Sequence, residues 1–335
     1  MLTQEIWDDF LDIVETKNIL NNDTWDLEKL NSLLRRDSYF ERDEASEILK
    51  ILLEQGSLLA NQTKIPNYLF MHYKGLININ IPEGVTSIGE SAFEECDSLT
   101  SITLPNSLTS IGEEAFRGCS SLTSIVIPEG VISIERYAFC DCKNLTNIEL
   151  PSTLTSIGNF AFAYCRSLTS IVISGSVTSI GSNAFEGCSG LTSIELPNTL
   201  TSIGSSAFRY CSGLTSITIP EGVTSIEKSV FFDCSSLTNI VIPEGVTSIG
   251  EYAFYGCRNL TSIVIPKNVT SIGCEAFSSC KNLTIYCEVN SKPDGWVSSS
   301  PWNSYWWNHW NPSGRPVYYK GEWKYVNGVP TPIKR

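Results

Sequence analysis

A 23-residue unit recurs nine times between Ile81 and Cys287 with no insertion or deletion, starting at Ile81, Leu104, Ile127, Leu150, Ile173, Leu196, Ile219, Ile242 and Ile265. A fixed period of this length constrains the fold more than any local propensity. One such unit cannot bury its apolar face alone, so copies must stack into a solenoid and the end copies must be covered.

In the second copy, eight positions that stay apolar or cysteine across copies are Leu104, Leu108, Ile111, Ala115, Phe116, Cys119, Leu122 and Ile125. They must point inward. The L-T-S-I-x-I run has the spacing of a short strand entered from a turn, and stacked copies should pair as a parallel sheet. Proline follows in eight of nine copies, with Ser174 the exception; lacking a donor, it should mark where the strand leaves the sheet. V-T-S-I predicts a second short extended side, and stretches such as GEEAFRGC a short helix or turn that carries Phe116 over the core.

Nine of the twelve cysteines share one position of the unit: Cys96, Cys119, Cys142, Cys165, Cys188, Cys211, Cys234, Cys257 and Cys280. An odd, evenly spaced set in identical surroundings cannot all pair. A column of buried, reduced thiols acting as small apolar groups treats every copy alike. Cys140 and Cys142 have one residue between them, too few for a C-x₂₋₄-C metal motif, so no metal or cofactor is expected.

The flanks should cap the stack. Residues 1–57 read as a helical region with amphipathic helices over 4–19, 24–36 and 43–55, Gly56 stopping the third. Residues 58–80 fit the repeat frame as a degenerate capping coil in which Tyr73 takes the cysteine position. The regular repeats occupy 81–287, and after Leu283 the frame slips by one residue, placing Ile285 and Cys287 inward and Tyr286 outward. Residues 288–335 form a Trp- and Tyr-rich C-terminal cap with PVYY as a closing strand. Its tryptophans Trp296, Trp302, Trp306, Trp307, Trp310 and Trp323 also permit an aromatic platform for glycan or cell wall. The fold class is therefore α/β: a solenoid of stacked short parallel strands between a helical and an aromatic cap.

Charge narrows the partners. Residues 76–287 carry 19 acidic and 9 basic side chains, which argues against a nucleic-acid partner, since phosphate attraction needs a basic footprint. The N-terminus MLTQEIWDDF has no basic stretch followed by an apolar run, and no segment reaches the length of a transmembrane span. As written, the chain reads as cytoplasmic.

Neither histidine, His72 nor His309, is placed by the frame beside a column cysteine, and no nucleotide or nucleophile motif appears. Carboxylate pairs such as Glu94–Glu95 and Glu113–Glu114 fall on variable turn positions and are expected to be solvated. The chain is not read as an enzyme.

The unit, as in IPEGVTSIGEYAFYGCRNL, resembles the BspA-like class of bacterial leucine-rich repeats, over nearly all of residues 81–287. The resemblance implies a curved right-handed solenoid and non-catalytic binding, often at bacterial surfaces, which offers the cell surface or a secreted location as an alternative.

Identical positions maintain the stack, so recognition belongs where copies differ. Outward strand positions carry mostly Ser, Asn, Thr, Val or Glu and offer little area. The turn positions carry Tyr137, Phe160, Tyr164, Tyr210, Phe232, Tyr252 and Tyr255, candidate anchors for a protein partner if exposed. The opposing expectation is that these rings pack over adjacent turns. A glycan partner through the tail is the second reading, and a hydroxyl lattice of Thr and Ser columns the third.

Overall fold

The computed structural model describes residues 2–22, 24–35, 40–56, 58–296 and 315–333. The chain falls into two compact units, Met1–Thr153 and Leu154–Arg335. Both are built of leucine-rich-repeat coils.

The first unit opens with helices α1 (Gln4–Thr16), α2 (Leu27–Arg35) and α3 (Arg42–Glu54). Thr3 caps α1 by accepting the Ile6 N–H at 3.3 Å. α1 ends three residues before the expected 19, because Asn18 turns left-handed at φ 49° and the chain reverses into an antiparallel pair, Leu20–Asn21 with Thr24–Trp25. That pair takes residues expected in α2, which begins instead behind Asp26, whose carboxylate accepts the Lys29 N–H at 3.0 Å. α3 starts on a reciprocal capping box of Glu41 and Glu44 and stops before Gly56 at φ 74°. Phe10, Leu30, Ile48 and Leu52 bury the inner faces of these helices.

Coils follow. Lys64–Ile65, Ser87–Ile88 and Ser110–Ile111 form one parallel sheet. On the other side Asn78–Asn80 pairs with Ser101–Thr103, and Ser124–Val126 with Asn147–Glu149, each partner 23 residues on. The second unit continues the same pattern: Ser170–Val172, Ser193–Glu195, Ser216–Thr218 and Asn239–Val241 pair in parallel. Ser156–Ile157, Ser179–Ile180 and Ser202–Ile203 pair on the second side, as do Ser225–Ile226, Ser248–Ile249 and Ser271–Ile272. Thr284 pairs with Ser262, 22 residues away, which is the anticipated slip, and Val317–Tyr318 closes the sheet beyond Thr284–Cys287.

The stretch carrying phenylalanine is a turn, not a helix. Its N–H groups alternate between a carbonyl three residues back and one in the next coil: Glu94 N–H donates to Ser91 at 3.2 Å, while Phe93 and Glu95 N–H donate to Ala115 and Arg117 at 2.8 and 2.7 Å. This alternation requires left-handed backbone at two places per coil, two residues before the phenylalanine and one before the column cysteine. Ser91, Glu114 and Tyr137 fill the first place and Glu95, Gly118 and Asp141 the second in unit one, all at positive φ.

The core is columnar. Phe70, Phe93, Phe116 and Phe139 stack at 5.1–5.3 Å between centroids in the first unit. Phe185, Phe208, Phe231, Phe254 and Phe277 stack at 5.4–5.8 Å in the second. Each column thiol with a described bond donates to a phenylalanine carbonyl 26 residues earlier, Cys119 to Phe93 and Cys211 to Phe185, both at 3.1 Å. Threonine hydroxyls act likewise on the coil 23 residues back, Thr109 donating to the Thr86 carbonyl at 3.0 Å and Thr201 to Thr178 at 3.2 Å.

The first coil has carbonyls whose counterparts in later coils receive an N–H from the coil before. In regular coils, Glu90, Ala92 and Glu94 accept from Tyr68, Phe70 and His72 of the coil before. The equivalent carbonyls of the first coil, Asn67, Leu69 and Met71, have no coil before them. The Asn31 amide donates to Asn67 at 2.7 Å, and the Arg35 guanidinium to Leu69 at 3.2 Å and Met71 at 2.6 Å. One i, i+4 pair on α2 thus stands in for three backbone donors that a missing coil would supply. In the second unit the Trp296 indole N–H donates to Val269, Trp323 to Cys287 and the Arg315 guanidinium to Lys281, at 3.0, 3.0 and 2.8 Å. Tyr286 is on the outward face as expected, yet buried, because Tyr318 and Trp323 lie over it at 5.6 and 5.4 Å. Trp302, Trp306, Trp307, Trp310 and His309 lie outside the described residues.

Candidate partner-binding surface

Tyr210, Phe232, Tyr252 and Tyr255, four of the seven candidate anchors, meet in the second unit. Phe232 is their centre: Tyr255 stacks on it at 4.7 Å, Tyr210 meets it edge-on at 5.5 Å and Tyr252 at 6.4 Å. Tyr252 and Tyr255 also touch, at 6.0 Å. The assembly follows from the period, since Arg209, Phe232 and Tyr255 occupy one position of three successive coils. Tyr210 and Tyr252 stand on the left-handed positions, at φ 60° and 56°. Such backbone holds a Cβ-bearing residue at a cost, and the coil demands it whatever the side chain is.

Two cations complete the patch. The Arg209 guanidinium lies over both Tyr210 and Phe232, at 4.6 and 4.9 Å from their centroids, and donates to the Tyr210 hydroxyl at 2.9 Å. Glu186, buried one coil earlier, sits 3.8 Å from Arg209. Lys228 is 6.0 Å from the Tyr252 ring and 3.0 Å from Glu251. Sequence reasoning missed Arg209, Lys228 and Glu186; the signal was that Arg209 shares the column of Phe232 and Tyr255. Tyr210 is the most open ring of the group, 38% exposed, and the others are half-buried.

The other three candidates are not part of this cluster. Tyr137 belongs to the first unit, half-buried, with Arg136 and Arg117 4.7 and 5.8 Å from its ring centre. Phe160 and Tyr164 are half-buried in the second unit. Tyr164 lies against Gly187 of the following coil so closely that a Cβ there would come within 2.5 Å of its ring. For Tyr164 the packing expectation describes the geometry better than exposure does.

Glu94, expected to be solvated, is buried. The coil winding faces it toward Arg117, which pairs with Glu94 at 2.9 Å and with Glu114 at 2.8 Å. His72 pairs with Glu95 at 2.7 Å. Burial raises thiols within the column: Cys96 is pushed up to about 12, and Cys119 and Cys211 well above the ordinary thiol value, whereas Cys280 is lowered by its hydrogen bond with Cys257. Among the described residues, no group of three His, Cys, Asp or Glu side chains could hold a metal ion, and no helix is long and apolar enough to cross a membrane.

A family model for the BspA type leucine rich repeat region, six copies long, matches residues 63–190 and again 155–284. The chain belongs to that family, whose members are generally non-catalytic repeat scaffolds, and no enzyme family is indicated. Among solved structures, a leucine-rich repeat protein from Bacteroides ovatus is 29% identical over 70% of this chain and 77% of its own, with a TM-score of 0.49. The T. pallidum leucine rich repeat protein is 33% identical, covering 59% of this chain and 82% of its own, with a TM-score of 0.44. A leucine rich cell surface protein from Faecalibacterium prausnitzii is 29% identical over 70% and 84%, with a TM-score of 0.38. No curated protein matches the chain.

Proposed function

We propose that this chain is a protein-binding scaffold whose partner docks on the turn face of the second unit, in adhesion or in contact with a host or neighbouring cell. The observation that carries the reading is the joined cluster of Tyr210, Phe232, Tyr252 and Tyr255 under Arg209 and Lys228. Tyrosine and arginine are the residues that most often anchor interfaces, because they bring large rigid area together with a polar tip. Contacts already made within the cluster hold the rings in place, so little side-chain entropy remains to be lost on docking. The test is affinity capture with the intact chain and a Tyr210→Ser/Phe232→Ser variant. A partner retained by the first and lost by the second supports the reading; equal retention by a folded variant refutes it.

The second reading, glycan binding by the tail, is favoured by one observation. Tyr286, Tyr318, Trp323 and Tyr325 form a connected aromatic row with centroid spacings of 5.3–5.6 Å.

A further inference from the structure

Beside this row, Val317, Tyr318, Gly321, Glu322 and Ile333 line an open cleft of about 330 Å³. We propose that the cleft is a subsite for one neutral hexopyranose ring of an oligosaccharide; the proposal rests on the glycan reading and gives it a location and a sugar class.

Four features argue for it. The volume lies at the lower end of small-ligand sites, about 300–1,000 Å³, which suits a sugar ring better than a larger ligand. Tyr318 supplies an aromatic wall, braced from behind by stacking on buried Tyr286 with 19° between the rings. The axial C–H groups of a pyranose with equatorial substituents carry partial positive charge and match the negative face of such a ring. Glu322 supplies the polar group, its Oε2 fixed by the Tyr319 N–H at 2.9 Å, and a carboxylate accepts sugar hydroxyl protons in charge-assisted bonds. Gly321 leaves the backbone open: at φ 89°, with nothing within 4 Å of the place a Cβ would take, it lets a ligand approach the main chain.

The same carboxylate sets selectivity. A uronic or sialic acid would bring a second negative charge beside Glu322 in a chain of net charge −13, whereas a neutral β-linked glucoside would not. Ile333, 44% exposed, offers apolar surface at the edge of the cleft to a following sugar unit.

The experiment uses the full chain and cellotetraose, with saturation-transfer NMR to map ring protons and a fluorescence titration for affinity. The expected result is saturable binding in which axial ring protons receive the strongest transfer. Glu322→Gln should weaken it roughly tenfold, the factor expected when one charge-assisted bond becomes neutral. Ile333→Trp, which fills the cleft from an exposed position, should abolish it while circular dichroism stays unchanged. Deletion of residues 315–333 serves as the control for the parent reading. Binding lost on that deletion but unmoved by Glu322→Gln and Ile333→Trp would overturn the cleft and leave a tail glycan site elsewhere. No binding of cellotetraose by the intact chain would overturn the cleft outright, and preference for an oligogalacturonide of equal length would overturn the assignment to neutral sugar.

Discussion

The molecule has two aromatic regions built on one period, and they obey different rules. Inside, Phe185, Phe208 and Phe231 stack nearly parallel, 5° apart, fully buried, with the same residue in every coil. Outside, Tyr210, Phe232 and Tyr252 sit on positions where other coils carry Gly, Ala, Ser, Asn, Asp, Glu, Arg or Cys as well as Tyr or Phe, and they meet at 61–84° with cations against them. The inner rings are interchangeable because each solves the same packing problem. The outer rings differ from coil to coil, so stacking cannot be what keeps them aromatic. That contrast locates structure in the columns, and the departures from them are where the proposed function places recognition.

The largest effect that would test the inner half of this contrast is alkaline unfolding. Burial raises the thiols of Cys96, Cys119, Cys142, Cys211, Cys234 and Cys257 above the ordinary value near 9. Below pH 9 these thiols are protonated whether folded or not, and their contribution is fully present. Above it, only the unfolded chain releases the protons, so stability should fall by up to about 1.4 kcal/mol per pH unit for each thiol. Urea midpoints between pH 8 and 10.5 measure this, and a flat profile would mean the column is solvent-accessible. Labelling at pH 8 should find Cys274, the one half-exposed cysteine, fast and the other eleven slow.

Next in size is the cavity left by Phe185→Ala in the inner stack, about 3–5 kcal/mol by denaturant titration. A value below 1 kcal/mol would put inner and outer rings on the same footing. Arg35→Met removes the guanidinium that meets two first-coil carbonyls and should cost about 2 kcal/mol, since charge-assisted bonds to buried backbone are lost without replacement. The smallest expected effect has the opposite sign. Ser206 holds a left-handed turn position at φ 59°, and Ser206→Gly should stabilise by about 1 kcal/mol in thermal unfolding. Destabilisation there would show that the turn does not carry the backbone cost assigned to it.

Much of this was legible in the residues, and the part that was not has a physical reason. The inward columns, the strand pairing and the buried thiol column follow from one exact period, because a repeated position has one environment, and the slip at Thr284 was visible as the point where that period breaks. The left-handed turns were hidden because Glu, Tyr, Phe, Asn and Ser all occupy them; Gly118, Gly187 and Gly256, three glycines in one position, were the available clue. Asn31 and Arg35 look like ordinary polar residues on α2, since nothing in a helix pattern says which carbonyls lie opposite. The outer patch was half legible: four of its rings were picked from their variability, but Arg209 was not, and Tyr164 was picked although it packs on Gly187.

The outer half of the contrast is tested most directly by placing a photo-crosslinking amino acid at one of two sites in otherwise intact chains, Tyr210 on the turn face or Val172, 70% exposed, on the strand face. Irradiation in the presence of partner-bearing cells should give a discrete protein adduct from position 210 and none from position 172. An adduct from 172 alone would place recognition on the strand face and contradict the assignment of the aromatic turn patch.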